Sequence, residues 1–170
     1  MPFFVTGDED GMKVTVACVG KMKEKYLRDA VQEYSKRLSR YCKLEIIEAA
    51  DEKTPDQASA AQEEGIKEKE GQRLLSRIPP DAYVITLEIE GDMVDSVAFS
   101  KRLEKLAIAG QSHLCFVIGG SLGLSEAVRR RAQWALSFSK MTFPHQLMRV
   151  IVLEQIYRAF RIQMKEPYHK

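Results

Sequence analysis

Two near-continuous apolar runs, residues 82–89 (AYVITLEI) and 114–118 (LCFVI), constrain this chain more than any other feature. Strands that are apolar at nearly every position need cover on both faces. A parallel sheet with helices on each side provides that cover, and a sheet open to water does not. The rest of the chain supplies the partners. Residues 13–19 (KVTVACV) alternate apolar and polar side chains and stop at Gly20, and 44–49 (LEIIEA) form a second short strand. Residues 23–41 place Tyr26, Leu27, Ala30, Val31, Tyr34, Leu38 and Tyr41 at helical spacing. A charged helix is expected over 57–78, stopped by Pro79-Pro80, another over 96–109, and one from Ser125 as its cap through Trp134. Residues 135–139 read as a short strand and 145–164 as a last helix. The alternation β-α-β-α-β-α-β-α-β-α gives an α/β fold with a mainly parallel five-stranded sheet.

The 170 residues suit one domain, expected over 12–170, with 45% hydrophobic and 29% charged residues. Residues 1–11 pair Phe3-Phe4-Val5 with an acidic, glycine-flanked run. They read as an expression tag or flexible upstream extension rather than a signal peptide, since the apolar part is short and lacks a basic flank. Three scattered cysteines, Cys18, Cys42 and Cys115, fit small core residues in a reducing cytosol, and no run reaches the length of a membrane span. Neither the cysteines nor the three separated histidines form a metal-ligand cluster, so no metal is expected.

The net charge of +2 conceals an asymmetry. From Arg129 onward there are nine Lys/Arg against two acids, and the remainder has 17 basic against 22 acidic residues. A cationic end on an acidic body fits a polyanionic partner met from one side, and equally fits solvated helix faces.

Ligands of parallel α/β sheets bind beyond the carboxyl ends of the strands. Three segments expected there as loops are distinctive: 88–92, 119–123 and 138–145. There is no P-loop, no dinucleotide fingerprint and no nucleophile elbow. Gly119-Gly120 removes two side chains after a buried strand, which suits either a tight turn or close approach of a ligand to the backbone. Residues 137–145 (SFSKMTFPH) set apolar Phe138, Met141 and Phe143 among hydroxyl residues. Such a loop can line a pocket for an adenine ring and a thioether, or tuck into the core. The ending Tyr168-His169-Lys170 offers a stacking ring, an imidazole and a cation beside a basic helix, a combination suited to RNA bases.

Taken together, MKVTVACVGKMKEKY (12–26), TLEIEG (86–91), FVIGGSLGLS (116–125), LSFSKMTFPHQLMRVIVLEQIYRAFRI (136–162) and PYHK (167–170) closely resemble the ribosomal RNA large subunit methyltransferase H family. That resemblance implies a SPOUT-class fold with a C-terminal trefoil knot, a homodimer and S-adenosylmethionine as methyl donor. The implied reaction is methylation of N3 of a pseudouridine in helix 69 of 23S rRNA, in the cytoplasm and on the assembled 70S ribosome. Carried onto this chain, the donor contacts are Leu87, Gly119, Gly120, Phe138, Ser139, Lys140, Met141, Thr142 and Phe143. The catalytic set is His169, accepting or relaying the N3 proton, with Tyr168 and Arg149. Arg129, Arg130, Arg158 and Lys170 are the expected RNA contacts. Two other functions use the same residues: methylation of another RNA, such as a tRNA, and non-catalytic ribosome binding.

Overall fold

The computed structural model describes residues 11–170, so the expected leading segment lies, except for Gly11, outside the described residues. Ten elements follow in order: β1 (Lys13–Val19), α1 (Lys25–Leu38), β2 (Lys43–Ala49), α2 (Ala60–Leu75), β3 (Tyr83–Met93), α3 (Ser96–Ile108), β4 (His113–Ile118), α4 (Glu126–Arg131), β5 (Trp134–Ser137) and α5 (His145–Gln163). The strands form one sheet in the order β2-β1-β4-β3-β5, with every pair parallel.

The period of two along each strand sorts side chains into two cores. Val14, Val16 and Cys18 of β1 and Leu114, Phe116 and Ile118 of β4 face the cluster closed by α1, α3 and α5. Ala17 and Val19, with Cys115 and Val117, face the opposite cluster under α2 and α4. Being apolar on both faces, the central strands need both layers. The long last helix belongs to the first layer, where Val152, Leu153, Ile156 and Phe160 are buried.

Three boundaries differ from the sequence expectation, each for a local reason. α2 begins at Ala60 because Ser59 and Gln62 form a reciprocal capping box, and Gln57 sits at positive φ, outside any helix. The short α4 ends at Arg131, where Ala132 turns extended; Trp134 therefore opens β5, buried, instead of closing a helix. β3 continues to Met93, so residues 88–92 are not a free loop. Leu87 and Asp92 both pair with Leu136, and residues 88–91 bulge outward between them. Gly91 permits this closure: a Cβ there would lie 2.8 Å from the backbone of Ala135 and Leu136.

Candidate active site

The carboxyl ends of β3, β4 and β5 enclose a cavity of about 710 Å³. Its walls come from the β3 bulge, the turn after β4 and the loop between β5 and α5. Of the nine expected donor contacts, eight line it: Leu87, Gly119, Gly120, Phe138, Ser139, Met141, Thr142 and Phe143. Lys140 is exposed and does not line it. Glu88, His145 and Met148 also line the cavity; Glu88 and His145 fall inside the segments 88–92 and 138–145 expected beside the site but were not named as contacts, and Met148 lay outside those segments. The i, i+3 spacing of His145 and Met148 on the last helix was the available signal for those two.

The glycine pair is required first by the protein itself. A Cβ on Gly119 would meet the carbonyl carbon of Gly123 at 2.7 Å, and one on Gly120 would press on Val19 and the Glu70 carboxylate at 3.2 and 3.3 Å. The turn closes through Gly123 N–H donating to the Gly120 carbonyl, with Gly123 at φ +92°. This packing leaves main-chain groups, not side chains, facing the cavity. The opposite loop is folded by its hydroxyls. Ser137 Oγ donates to the Ser139 carbonyl at 3.0 Å, and the Met141 N–H donates to Ser139 Oγ at 2.9 Å. Phe138 packs edge-on against Phe99, anchoring the loop to the core.

Arg149 occupies a different place from the one expected of a catalytic group. It is 3% exposed, one turn into α5. Nη1 pairs with Glu48 at 2.7 Å, and Nη2 donates to the carbonyls of Val19 at 2.9 Å and Gly20 at 2.6 Å. The guanidinium therefore ties the start of α5 to the ends of β1 and β2 and touches no open surface. It also bears on His145. Burial first, and then the Arg149 charge, hold the His145 imidazole below its ordinary pKa, so the ring facing the cavity is neutral.

The basic residues divide in the same way. Arg131 is turned inward, Nη2 donating to the carbonyls of Pro79, Pro80 and Ala82. Arg129 pairs with Glu88 at 3.2 Å, and exposed Arg130 pairs with Glu126. Arg158 is held by Glu154, covers the Tyr168 ring at 4.7 Å and donates from Nη1 to His169 Nδ1 at 3.0 Å. The Tyr168 hydroxyl donates to Glu154 as well, at 3.1 Å. Burial, and then the Glu154 charge, push the Tyr168 phenol up to about 12, so it stays protonated. The chain's end is thus fastened onto the second half of α5, closing with exposed His169 and Lys170. Among the described residues, none beyond Met148 lines the cavity.

A cavity at the carboxyl edge of a parallel sheet, walled by a glycine turn and an apolar loop, defines an α/β protein of the small-ligand-binding kind. Residues 12–169 match the family model described as predicted SPOUT methyltransferase. The chain is 60% identical over 159 residues to the ribosomal RNA large subunit methyltransferase H of Clostridium botulinum (strain Alaska E43 / Type E3), covering 94% of this chain and all of that one. It is 58% identical, with the same coverage, to the protein of that name from Clostridium acetobutylicum. A probable methylase family protein from Haemophilus influenzae Rd KW20 shares the fold, with a TM-score of 0.52 at 10% identity, over 92% of this chain and 70% of that one. The chain belongs to the ribosomal RNA large subunit methyltransferase H family of SPOUT methyltransferases. Among the described residues no helix is long and apolar enough to cross a membrane, and no group of three or more His, Cys, Asp or Glu could hold a metal.

Proposed function

We propose that this methyltransferase transfers the methyl group of S-adenosylmethionine to N3 of a pseudouridine in helix 69 of 23S rRNA, in the cytoplasm, on the assembled 70S ribosome. The observation that carries the reading is the cavity: eight of the nine donor contacts implied by the family converge on it, from three separate strand ends. Its chemistry fits the donor. Apolar Leu87, Phe138 and Met141 suit a purine and a thioether, backbone groups of the glycine turn suit the purine edge, and Glu88 is an acceptor for hydroxyls. The family's trefoil knot belongs to the same reading, with the chain from about Val117 onward threaded through an earlier loop.

When bound, S-adenosylmethionine supplies a methyl group that passes from a sulfonium sulfur to N3, leaving a neutral thioether, while the N3 proton leaves to solvent. The protein's part is to hold the two reactants in near-attack geometry and to stabilise the imide charge that develops. Arginine has no acceptor, so His169 Nδ1 must accept from Arg158, which leaves the imidazole proton on Nε2. In this arrangement His169 is a hydrogen-bond donor toward a uracil-type carbonyl rather than the proton acceptor. Tyr168, fixed by Glu154 and Arg158, sets its direction, and Lys170 and Arg158 add positive charge. Arg149 acts by fixing the floor of the site.

Because the tail does not reach the cavity of its own protomer, the site is completed in a homodimer by the partner's tail. Exposed apolar residues support such an interface: Ile89 and Met141 are 45% and 75% exposed, and Met93, Val94 and Val97 are exposed as well. Nucleoside mass spectrometry of 23S rRNA from a deletion strain tests the function. The helix 69 fragment is expected to lose one methyl group, and a plasmid copy to restore it. An unchanged fragment, with a methyl lost from a tRNA instead, would move the substrate elsewhere.

A further inference from the structure

Glu88 is the only Asp, Glu, Lys or Arg side chain among the residues lining the cavity, and its position is built rather than incidental. The β3 bulge carries it outward, and Gly91 lets the chain close behind it. Thr86 Oγ1 donates to Oε2 at 2.6 Å, from the buried Thr86 of the same strand. Arg129 of α4 reaches Oε1 at 3.2 Å. The Glu88 side chain is thus oriented from two sides, is 19% exposed, and lines the cavity.

We infer that Glu88 is a binding residue for the ribose hydroxyls of the methyl donor, and that Arg129 is its positioning residue rather than an RNA contact. The inference rests on the donor reading above. A carboxylate accepts about four hydrogen bonds, and Thr86 and Arg129 occupy one on each oxygen, so each oxygen keeps a further lone pair for a vicinal diol. A counter-ion role for the donor's ammonium or sulfonium fits less well, because Arg129 already neutralises the charge while leaving the acceptor sites open. Arg129 also differs from its neighbour Arg130, whose pairing with Glu126 runs along the outer face of the same helix.

Isothermal titration of the full chain, without RNA, tests this with three probes: S-adenosylmethionine, S-adenosylhomocysteine and 5′-methylthioadenosine, which keeps the ribose but lacks the ammonium and the sulfonium. Glu88→Ala is expected to weaken all three alike, by about tenfold or more, the value of a hydrogen bond to a charged acceptor. Arg129→Met should weaken them in the same proportion, Arg129→Lys should restore most of the loss, and the double variant should be no worse than Glu88→Ala alone. A loss confined to the two ligands that carry an ammonium, or unchanged binding in both single variants, would overturn the inference. Were the wild-type chain itself to bind none of the probes, the donor reading would fail instead. Near-ultraviolet circular dichroism checks each variant's fold, and Arg129→Met, on an exposed helix face, gives an answer even if Glu88→Ala misfolds.

Discussion

Replacing Arg149 with methionine separates a structural role from a chemical one. The change keeps the buried stem and removes the guanidinium, leaving the carbonyls of Val19 and Gly20 without their donor at the end of β1. Each buried acceptor left unpaired costs about 1–3 kcal/mol. Glu48, whose side chain is 36% exposed, rehydrates and adds little. The expected loss is therefore about 3 kcal/mol, within the range for removing one partner of a buried pair. For a chain of this size that lowers Tm by roughly 6–12 °C. Glu48→Gln keeps an acceptor oxygen for Nη1 but takes the counter-charge from a buried guanidinium, so it should cost about 1–2 kcal/mol, less than Arg149→Met. Urea unfolding at one fixed protein concentration reads both, since an oligomer's midpoint moves with concentration. If Arg149→Met unfolded within about 0.5 kcal/mol of the parent and yet lost methyl transfer, the guanidinium would act on substrate and the positioning argument would be wrong.

Further outcomes follow from the same contacts. Gly119→Ala puts a methyl 2.7 Å from the Gly123 carbonyl carbon, so the turn must open. A stability loss of about 1–3 kcal/mol and weakened donor binding are expected by thermal melting and calorimetry. Burial lowers the pKa of His113 and of His145 from the ordinary 6.5, with Arg149 adding to the shift at His145. Unfolded histidine then binds protons the native state refuses, so stability is full above 6.5 and falls as pH drops below it. Unfolding from pH 7.5 to 5 should show that loss, and a His113→Asn/His145→Asn variant should flatten it. Burial pushes the Cys18, Cys42 and Cys115 thiols up to about 12, so the native chain should be inert to a thiol reagent at pH 8 and react at three sites once unfolded.

The sheet was legible because its signal is local. β1 falls on the expected residues, and the apolar runs marked β3 and β4 as doubly covered strands. The far end of β3 was not legible, because Glu90-Gly91-Asp92 is polar and glycine-bearing and is held as strand only by pairing with β5. Trp134 was hidden for the opposite reason: it follows a helical pattern closely enough to read as its last residue. The loops that wall the cavity stood out by their unusual composition, but composition alone fitted a tight turn and a core-tucked loop equally well, and it was the resemblance that implied donor contacts there. The roles of the arginines were not legible, since a charge count is blind to direction. Arg131 and Arg149 point inward onto carbonyls, and Arg129 reaches back to Glu88, although all three count toward the cationic end. Glu88 lay at the edge of a segment marked as distinctive, but its own role was not legible, because a lone acid at a strand's end reads as a solvated residue until the bulge places it in the cavity.

The most direct test of the central claim is methyl transfer from labelled S-adenosylmethionine to ribosomes lacking the modification, with the label mapped by nuclease digestion and mass spectrometry. Assembled 70S ribosomes, free 50S subunits and particles carrying uridine in place of pseudouridine are compared. Label is expected on N3 of the helix 69 pseudouridine, strongest on 70S ribosomes. Binding of the donor with no label on any of the three particles would contradict that claim.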